Sequence, residues 1–438
     1  MRGKTFRIIT LGCKVNQYES AYLNAALSEA GMVPAGPGEP CDVALIHTCI
    51  VTRRAAHQSR QQIRKAIREN PDGVIGAVGC YPQVFPEEIT GIQGITLMAG
   101  NRAKSKLPDT IRACLETREK ASVVEPFSGE TPFEPMPLES FPGRTRAYLK
   151  IQDGCESYCS YCIVPYARGP CRSLAPDRVL AGLGALSESG YLEVVLTGIH
   201  LGKYGEDLSP KWDLVRLLRA IGKAGFPGRI RLSSLEPQEI HDALIELMAG
   251  EDWLCRHVHI PLQSGDDGVL KRMNRQYRAG SFARLVERIY SMDPVTAIGV
   301  DVMAGFPGEG PEAHGNSLSL VRDLPVSYLH VFPYSPRPGT PAAGYRPQLQ
   351  PELIKKRAGE LRTLGRKKRA AFYASCVGRT FQVLCQGWES VKEQRVRSVS
   401  DNYLPVFFRS EERLENVLVP VRIEGASQGE VFGRKAPF

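Results

Sequence analysis

No run of about eighteen apolar residues occurs anywhere in this chain, so it offers no candidate membrane-spanning helix. The opening MRGKTFRIITLGCK returns to a charged residue too soon to supply the apolar core of a secretory leader, and a cytoplasmic location is the expectation. Low-complexity tracts and tandem repeats are missing as well. In a reducing compartment the twelve cysteines have little reason to pair as disulfides, so clustered thiols point to metal or redox chemistry. What is present is a soluble, globular composition, 42% hydrophobic and 24% charged, over 438 residues. That length exceeds one ordinary core, and two or three domains are expected. A net charge of +9 suits a polyanionic partner without requiring one.

Four short apolar runs alternate with helical segments near the start: RIITLGC (7–13), CDVALIHTC (41–49), VIGAVGC (74–80) and ITLMAG (95–100). Buried parallel strands separated by helices read this way, and an open α/β sheet domain is expected over 1–124. Three of the four runs stop on a cysteine. Parallel strands joined by right-handed crossovers share one direction, so Cys13, Cys49 and Cys80 should meet along one rim, where such sheets bind ligands.

The stretch EPFSGETPFEPMPLESFPG (125–143) has no period and reads as a linker. Six strand candidates follow: RAYLKIQ (146–152), EVVLT (193–197), RIRLSS (229–234), RHVHIPL (256–262), AIGVDVMAG (297–305) and YLHVFPY (328–334). Six βα units imply a partial (β/α)6 barrel over 144–372. Five short β-rich runs after Gly378 imply a small antiparallel barrel of the oligonucleotide-binding kind over 373–438.

The segment GCESYCSYC (154–162) places Cys155, Cys159 and Cys162 on one short loop. A structural zinc site needs four ligands, commonly two Cys-x2-Cys pairs. Three thiolates can instead hold three corners of a cubane iron-sulfur cluster and leave the fourth iron open to a small molecule. Cys171, nine residues on, would close that iron if it bound. Polar or glycine residues at the other strand ends share the barrel mouth, and Thr197, Ser234, Glu236, Gln263 and Gly305 are the candidates for cofactor contact.

The Cys-x3-Cys-x2-Cys spacing resembles the radical S-adenosylmethionine superfamily, whose open iron chelates the amino and carboxylate groups of that cofactor. With the upstream trio, the chain resembles the methylthiotransferase family over nearly its whole length, through TLGCKVNQYES, HTCIVT, VGCYPQ, GCESYCSYCIVPYARG, LTGIHLGKYG, RLSSLEP, HIPLQSGDDGVLKRMNRQY, DVMAGFPGE and FPYSPRPGT. The terminal barrel is similar to that family's RNA-binding TRAM domain.

The resemblance implies two four-iron, four-sulfur clusters, a radical-generating one on Cys155, Cys159 and Cys162 and an auxiliary, sulfur-carrying one on Cys13, Cys49 and Cys80. It also implies S-adenosylmethionine, a tRNA anticodon loop as partner, a flavodoxin, ferredoxin or reductase as electron donor, no membrane, and a monomer. The stretches TLGCKVNQYES and CSYCIVPYARG resemble members that methylthiolate threonylcarbamoyladenosine. The run Lys14, Val15, Asn16 matches neither the Gly-Cys-Gln-Met-Asn start of relatives acting on isopentenyladenosine nor the Gly-Cys-Pro-Lys-Asn start of those acting on a ribosomal-protein aspartate. His47, where Asn is usual, Leu174, where a basic residue is common, and a loop after GFPGE without its usual acidic run depart from the pattern.

RNA phosphates would be met by Lys355, Lys356, Arg366, Lys367, Lys368 and Arg369, with Tyr403 available to stack a base. A basic stripe after Cys49, from Arg53 to Arg68, reads equally well as a solvated helix face. Rival readings are a zinc-bearing RNA-binding protein without catalysis and a radical enzyme that uses its auxiliary cluster only for electron transfer.

Overall fold

The computed structural model describes residues 1–437 apart from Ala103, Glu130, Pro142 and Gln428. It resolves into two compact units. Residues Met1–Leu138, Lys150–Leu174 and Ser335–Ala343 form the first; Glu139–Leu149, Ala175–Tyr334 and the chain from Gly344 onward form the second. The span 144–372 is therefore shared between them, because the loop bearing the clustered cysteines groups with the N-terminal residues.

The first unit contains a six-stranded sheet in the order Val33–Pro34, Thr5–Thr10, Val43–Thr48, Val74–Gly79, Leu97–Ala99, Ala121–Val123, parallel throughout. The two central strands are buried along their whole length, which is why they read as unbroken apolar runs. One face of the sheet packs Phe6, Leu23, Leu45 and Leu97 together, the other Ala44, Ile46, Ile63 and Ala77. The two edge strands went unforeseen, being only two and three residues long. Among the described residues of 125–138, expected as part of a linker, no helix or strand forms, yet several are tied to the rest of their unit. Tyr18 donates its hydroxyl to the Met136 carbonyl at 2.5 Å, and the Glu134 carboxylate accepts from the Ser105 N–H at 2.8 Å.

All six strands expected of the partial barrel form. They lie as two three-stranded sheets, Ala147–Lys150 beside Glu193–Thr197 beside Arg229–Leu232, and His257–Gln263 beside Ala297–Ala304 beside Tyr328–Pro333, with the last two strands of the first sheet and all three of the second paired parallel. The C-terminal strands close a barrel in the order Thr380–Ser390, Arg395–Ser400, Pro405–Arg409, Glu430–Lys435, Glu415–Ser427. Its closure includes one parallel pair, Pro405–Arg409 with Glu430–Lys435, so the barrel is not wholly antiparallel. Val383, Val396, Val406, Phe408 and Val421 fill it. Phe407 points the other way, under the Arg395 guanidinium at 4.1 Å from its ring centre.

Buried charge joins this barrel to the strands of its own unit. Glu193 binds both Arg229 and Arg231, and their free N–H groups donate to the carbonyls of Gln382, Val399, Ser400 and Asp401 at 2.8–2.9 Å. Burial opposes ionisation of Glu193, but Arg231 and Arg229 outweigh it and hold the carboxyl far below the usual carboxylate range. Among the described residues no helix is long and apolar enough to cross a membrane.

Candidate metal centre and cofactor site

Cys13 follows the strand Thr5–Thr10 and immediately precedes the helix Lys14–Glu29, Cys49 follows Val43–Thr48, and Cys80 opens the short helix Cys80–Val84. The rim expected from topology is real. Gly12, at φ +101°, brings the first loop so close that a Cβ there would lie 3.2 Å from the Cys49 sulfur, a conformation and a clearance only glycine tolerates. Cys13 is exposed at the rim, whereas Cys49 and Cys80 are buried. The Cys49 thiol is pushed up to about 12, by burial and then by Cys80 and Cys13. The three thiols thus share one field.

Behind this rim lies a buried charge cluster that motif reading did not foresee. Arg168, 1% exposed, ends the helix Val164–Arg168 that begins two residues after Cys162. It donates to both carboxylate oxygens of Glu19, at 2.7 and 3.1 Å, and to the Asn16 side-chain oxygen at 2.6 Å. Asn16 in turn donates to the carbonyls of Leu11 and Thr48, at 2.7 and 3.0 Å, and so ties together the loops that carry Cys13 and Cys49. Asn101 performs the same task for the third loop. Its amide reaches the Ala167 carbonyl at 2.7 Å and the Cys80 sulfur at 3.4 Å.

Lys104 and Lys150 also reach Glu19, at 2.8 and 2.9 Å, while Asp153 lies 3.4 Å from each of Lys150, Arg168 and Arg172. Burial disfavours the Glu19 anion, yet Arg168, Lys104 and Lys150 together hold its carboxyl well below the ordinary range. Four cations thus face two carboxylates. A positive excess in a dry interior is costly unless an anion compensates it, and the Arg168 Nε has no hydrogen-bond partner. Cys13, Cys49 and Cys80 would hold a four-iron cluster whose thiolate-bound form carries net negative charge, which would offset part of this excess, so the residues fit such a group. His47, the departure from the family pattern, is buried against Ser20, with Nδ1 2.8 Å from the hydroxyl, and burial drives its pKa down to about 4. A Cβ at Gly79 would strike its ring at 2.7 Å.

The second trio belongs to the same unit. Gly154, at φ +78°, admits no side chain, since a Cβ would overlap the Pro170 carbonyl. Tyr158 adopts φ +42°, and together these turns curl the loop so that Cys159 is buried while Cys155 and Cys162 are partly exposed. The loop is held by Cys155 N–H to Gly169 O at 3.0 Å and Cys162 N–H to Cys159 O at 2.9 Å. Three thiols in so short a loop fit one corner-sharing cluster. Ile163 and Ala167 pack into the same apolar cluster as Cys80 and Tyr81, so the loops carrying both trios are built on one core. Cys171 is half-buried beside the Gly154 carbonyl. Cys41, Cys114, Cys255, Cys376 and Cys385 are buried, as expected of small apolar side chains.

Models of two families match the chain. The uncharacterised protein family UPF0004 matches residues 5–100, and the radical SAM superfamily matches 149–321. A Bacillus subtilis protein named threonylcarbamoyladenosine tRNA methylthiotransferase MtaB is 37% identical over 94% of this chain and 92% of its own. The chain belongs to the radical SAM methylthiotransferases. An Aquifex aeolicus protein of the same name is 34% identical over 91% of this chain and 95% of its own. A Pelotomaculum thermopropionicum protein named tRNA-2-methylthio-N(6)-dimethylallyladenosine synthase is 32% identical over 98% and 97%. Among solved structures, the radical S-adenosylmethionine methyltransferase TsrM from Kitasatospora setae superposes with a TM-score of 0.58 at 16% identity, covering 78% of this chain and 77% of that one, a likeness of fold.

In the second unit of this methylthiotransferase, Thr197 closes its strand, Ser234 and Glu236 follow Arg229–Leu232, Gln263 closes the fourth strand, and Gly305 follows the fifth. All five stand at the carboxyl ends of the parallel strands. Gly305 is at φ +80°, and its N–H donates to both Glu309 oxygens at 3.2 Å. Glu236 is engaged by Arg275, and burial raises its carboxyl above the ordinary range.

The basic residues expected to meet RNA lie on the helix Pro351–Ser375, where Lys355, Lys356, Arg366, Lys367 and Arg369 are exposed. Lys368 differs from them. Its ammonium donates to the Arg322 and Leu324 carbonyls, at 2.5 and 2.6 Å, so its charge is committed inside the fold.

Proposed function

We propose that this enzyme methylthiolates tRNA at carbon 2 of N6-threonylcarbamoyladenosine beside the anticodon, with two iron-sulfur clusters. The observation that carries this reading is the meeting of both cysteine trios in one compact unit, their loops tied by Arg168, Asn16 and Asn101. A carbon-bound hydrogen on an aromatic ring is neither acidic nor readily displaced, so acid–base groups alone do not suffice.

Bound on Cys155, Cys159 and Cys162, a four-iron cluster with S-adenosylmethionine would supply the radical that takes this hydrogen, and a second cluster on Cys13, Cys49 and Cys80 would supply the sulfur. The chain's own contribution is placement. Asn16 and Asn101 fix three ligand loops, Arg168 offsets thiolate charge, and the apolar packing of Cys80 and Tyr81 on Ile163 and Ala167 keeps water away. Thr197, Ser234, Glu236, Gln263 and Gly305 are proposed to meet S-adenosylmethionine. Lys355, Lys356, Arg366, Lys367, Arg369 and Tyr403 are proposed to meet the tRNA anticodon loop, whose bases unstack at low cost. A flavodoxin or ferredoxin as electron donor, a cytoplasmic setting and a monomeric state complete the reading.

Nucleoside mass spectrometry of tRNA from cells with and without the gene tests it. The methylthio form of threonylcarbamoyladenosine should disappear on deletion. Loss of methylthio-isopentenyladenosine instead would assign the substrate carried in the name of the Pelotomaculum relative, and unchanged tRNA would sink the tRNA reading.

A further inference from the structure

The second unit holds a cavity of about 540 Å³ whose lining contains five arginines and four aromatic rings and no aspartate or glutamate. Arg362, Arg366 and Arg369 project from one face of the helix Pro351–Ser375 at four- and three-residue spacing. Arg397 enters from the terminal barrel. All four are exposed to solvent, and among the described residues none of them forms an ion pair with a carboxylate. Tyr403 forms part of the opposite wall. Its backbone is left-handed at φ +67°, His257 lies tilted against its ring at 4.6 Å, the Arg231 guanidinium sits over that ring at 5.1 Å, and 37% of the residue is exposed.

The lining also carries an exposed imidazole, that of His330. Asp301 accepts from His259 Nε2 at 2.7 Å and lies 3.5 Å from His330 Nδ1, while His259 Nδ1 is 3.2 Å from the Tyr328 hydroxyl. Both nitrogens of His259 are thus engaged within the protein, and the same Asp301 carboxylate stands near His330 at the cavity. Four guanidinium groups without carboxylate partners suit an anion with more than one charge. Several aromatic faces suit a planar ring, and the His330 imidazole suits a polar edge. An inorganic anion meets only the first of these. A nucleotide with its flanking phosphates meets all three.

We propose that this cavity seats one unstacked nucleotide of the RNA substrate, with its flanking phosphates on Arg362, Arg366, Arg369 and Arg397, its base against Tyr403 and a polar edge facing His330. This deepens, and rests on, the reading of RNA as substrate. It adds Arg362, Arg397 and His330 to the recognition surface.

The test uses the full-length protein and a fluorescein-labelled anticodon stem-loop RNA, with affinity measured by anisotropy across a salt series. Arg362→Gln, Arg366→Gln and Arg397→Gln should each weaken binding several-fold and shallow the log–log salt slope by about 0.7, the share of one phosphate on a single strand. Arg397→Lys should restore the slope, and Arg284→Gln, outside the cavity, should leave it unchanged. With 2-aminopurine in the loop, Tyr403→Leu should alter the bound-state emission while preserving the salt slope. Wild-type slope and affinity in all three glutamine variants would overturn the cavity assignment. Failure of the unaltered protein to bind the RNA would overturn the RNA reading itself.

Discussion

Arg168 and Glu19 meet as a two-point ion pair, at 2.7 and 3.1 Å, with both side chains almost wholly buried. One follows the last cysteine of the clustered trio by six positions, and the other follows Cys13 by the same number. The pair joins the peptide frames of the two thiol sets without itself presenting a ligand. Its neighbours Asn16, Asn101 and Lys104 extend the connection to the loops of Cys49 and Cys80.

Removing the guanidinium should be severe. Arg168→Met leaves Glu19 short of one of three cations at a buried site, and breaking a buried pair of this kind costs about 3–5 kcal/mol. Urea denaturation should show that loss. Arg168→Lys keeps the charge but cannot reach Glu19 and Asn16 together, and its stability should fall between the two.

Asn16→Ala deletes the donors to the Leu11 and Thr48 carbonyls and leaves both acceptors buried, at a cost of about 1–3 kcal/mol. Its specific consequence lies at the first trio. Iron analysis of anaerobically reconstituted protein should show reduced occupancy there, while iron bound by Cys155, Cys159 and Cys162 is retained. Full iron content in a folded Asn16→Ala protein would contradict the role of Asn16 as a clamp.

Replacing Cys13, Cys49 and Cys80 together by Ala should halve the iron content and abolish methylthiolation, yet preserve reductive cleavage of S-adenosylmethionine by the remaining trio. Loss of cleavage as well would show that the two sets do not function separately. Cys171→Ala should leave the iron content of both sets intact.

Asp301 gives a pH-dependent prediction. Burial opposes its ionisation, but hydrogen bonds from His259 and His330 prevail and lower its pKa from 3.8 to about 2. A folded pKa below the unfolded one stabilises the native state above the unfolded value, and that contribution disappears as pH falls through the folded value. It should therefore be complete above about pH 4 and lost toward pH 2, amounting to about 2 kcal/mol. Asp301→Asn should be less stable at neutral pH and flatter across that window in chemical denaturation.

Periodicity and spacing were enough for much of this protein. Unbroken apolar runs ending on cysteine have one economical solution, parallel strands with a thiol rim, and the rim formed. The three clustered thiols announced their chemistry because ligand spacing within a loop is a local property. Short edge strands such as Val33–Pro34 and Ala121–Val123 left no legible period, and the proline-rich stretch that suggested a linker is ordered by contacts to residues distant in sequence, among them Tyr18 and Ser105.

The sequence by itself determined much of the strand and helix pattern and the placing of three cysteines at the ends of strands and three on one loop. Only the tertiary structure decided that Glu19, Lys104, Lys150 and Arg168 would share one buried site, that Lys368 would turn inward while Arg362 and Arg397 faced a common cavity, and that both thiol loops would rest on one core. Backbone pattern and ligand spacing are set over a few residues, where a chain can be read directly. Charge compensation depends on which groups are excluded from water together, and that is settled only when distant segments pack.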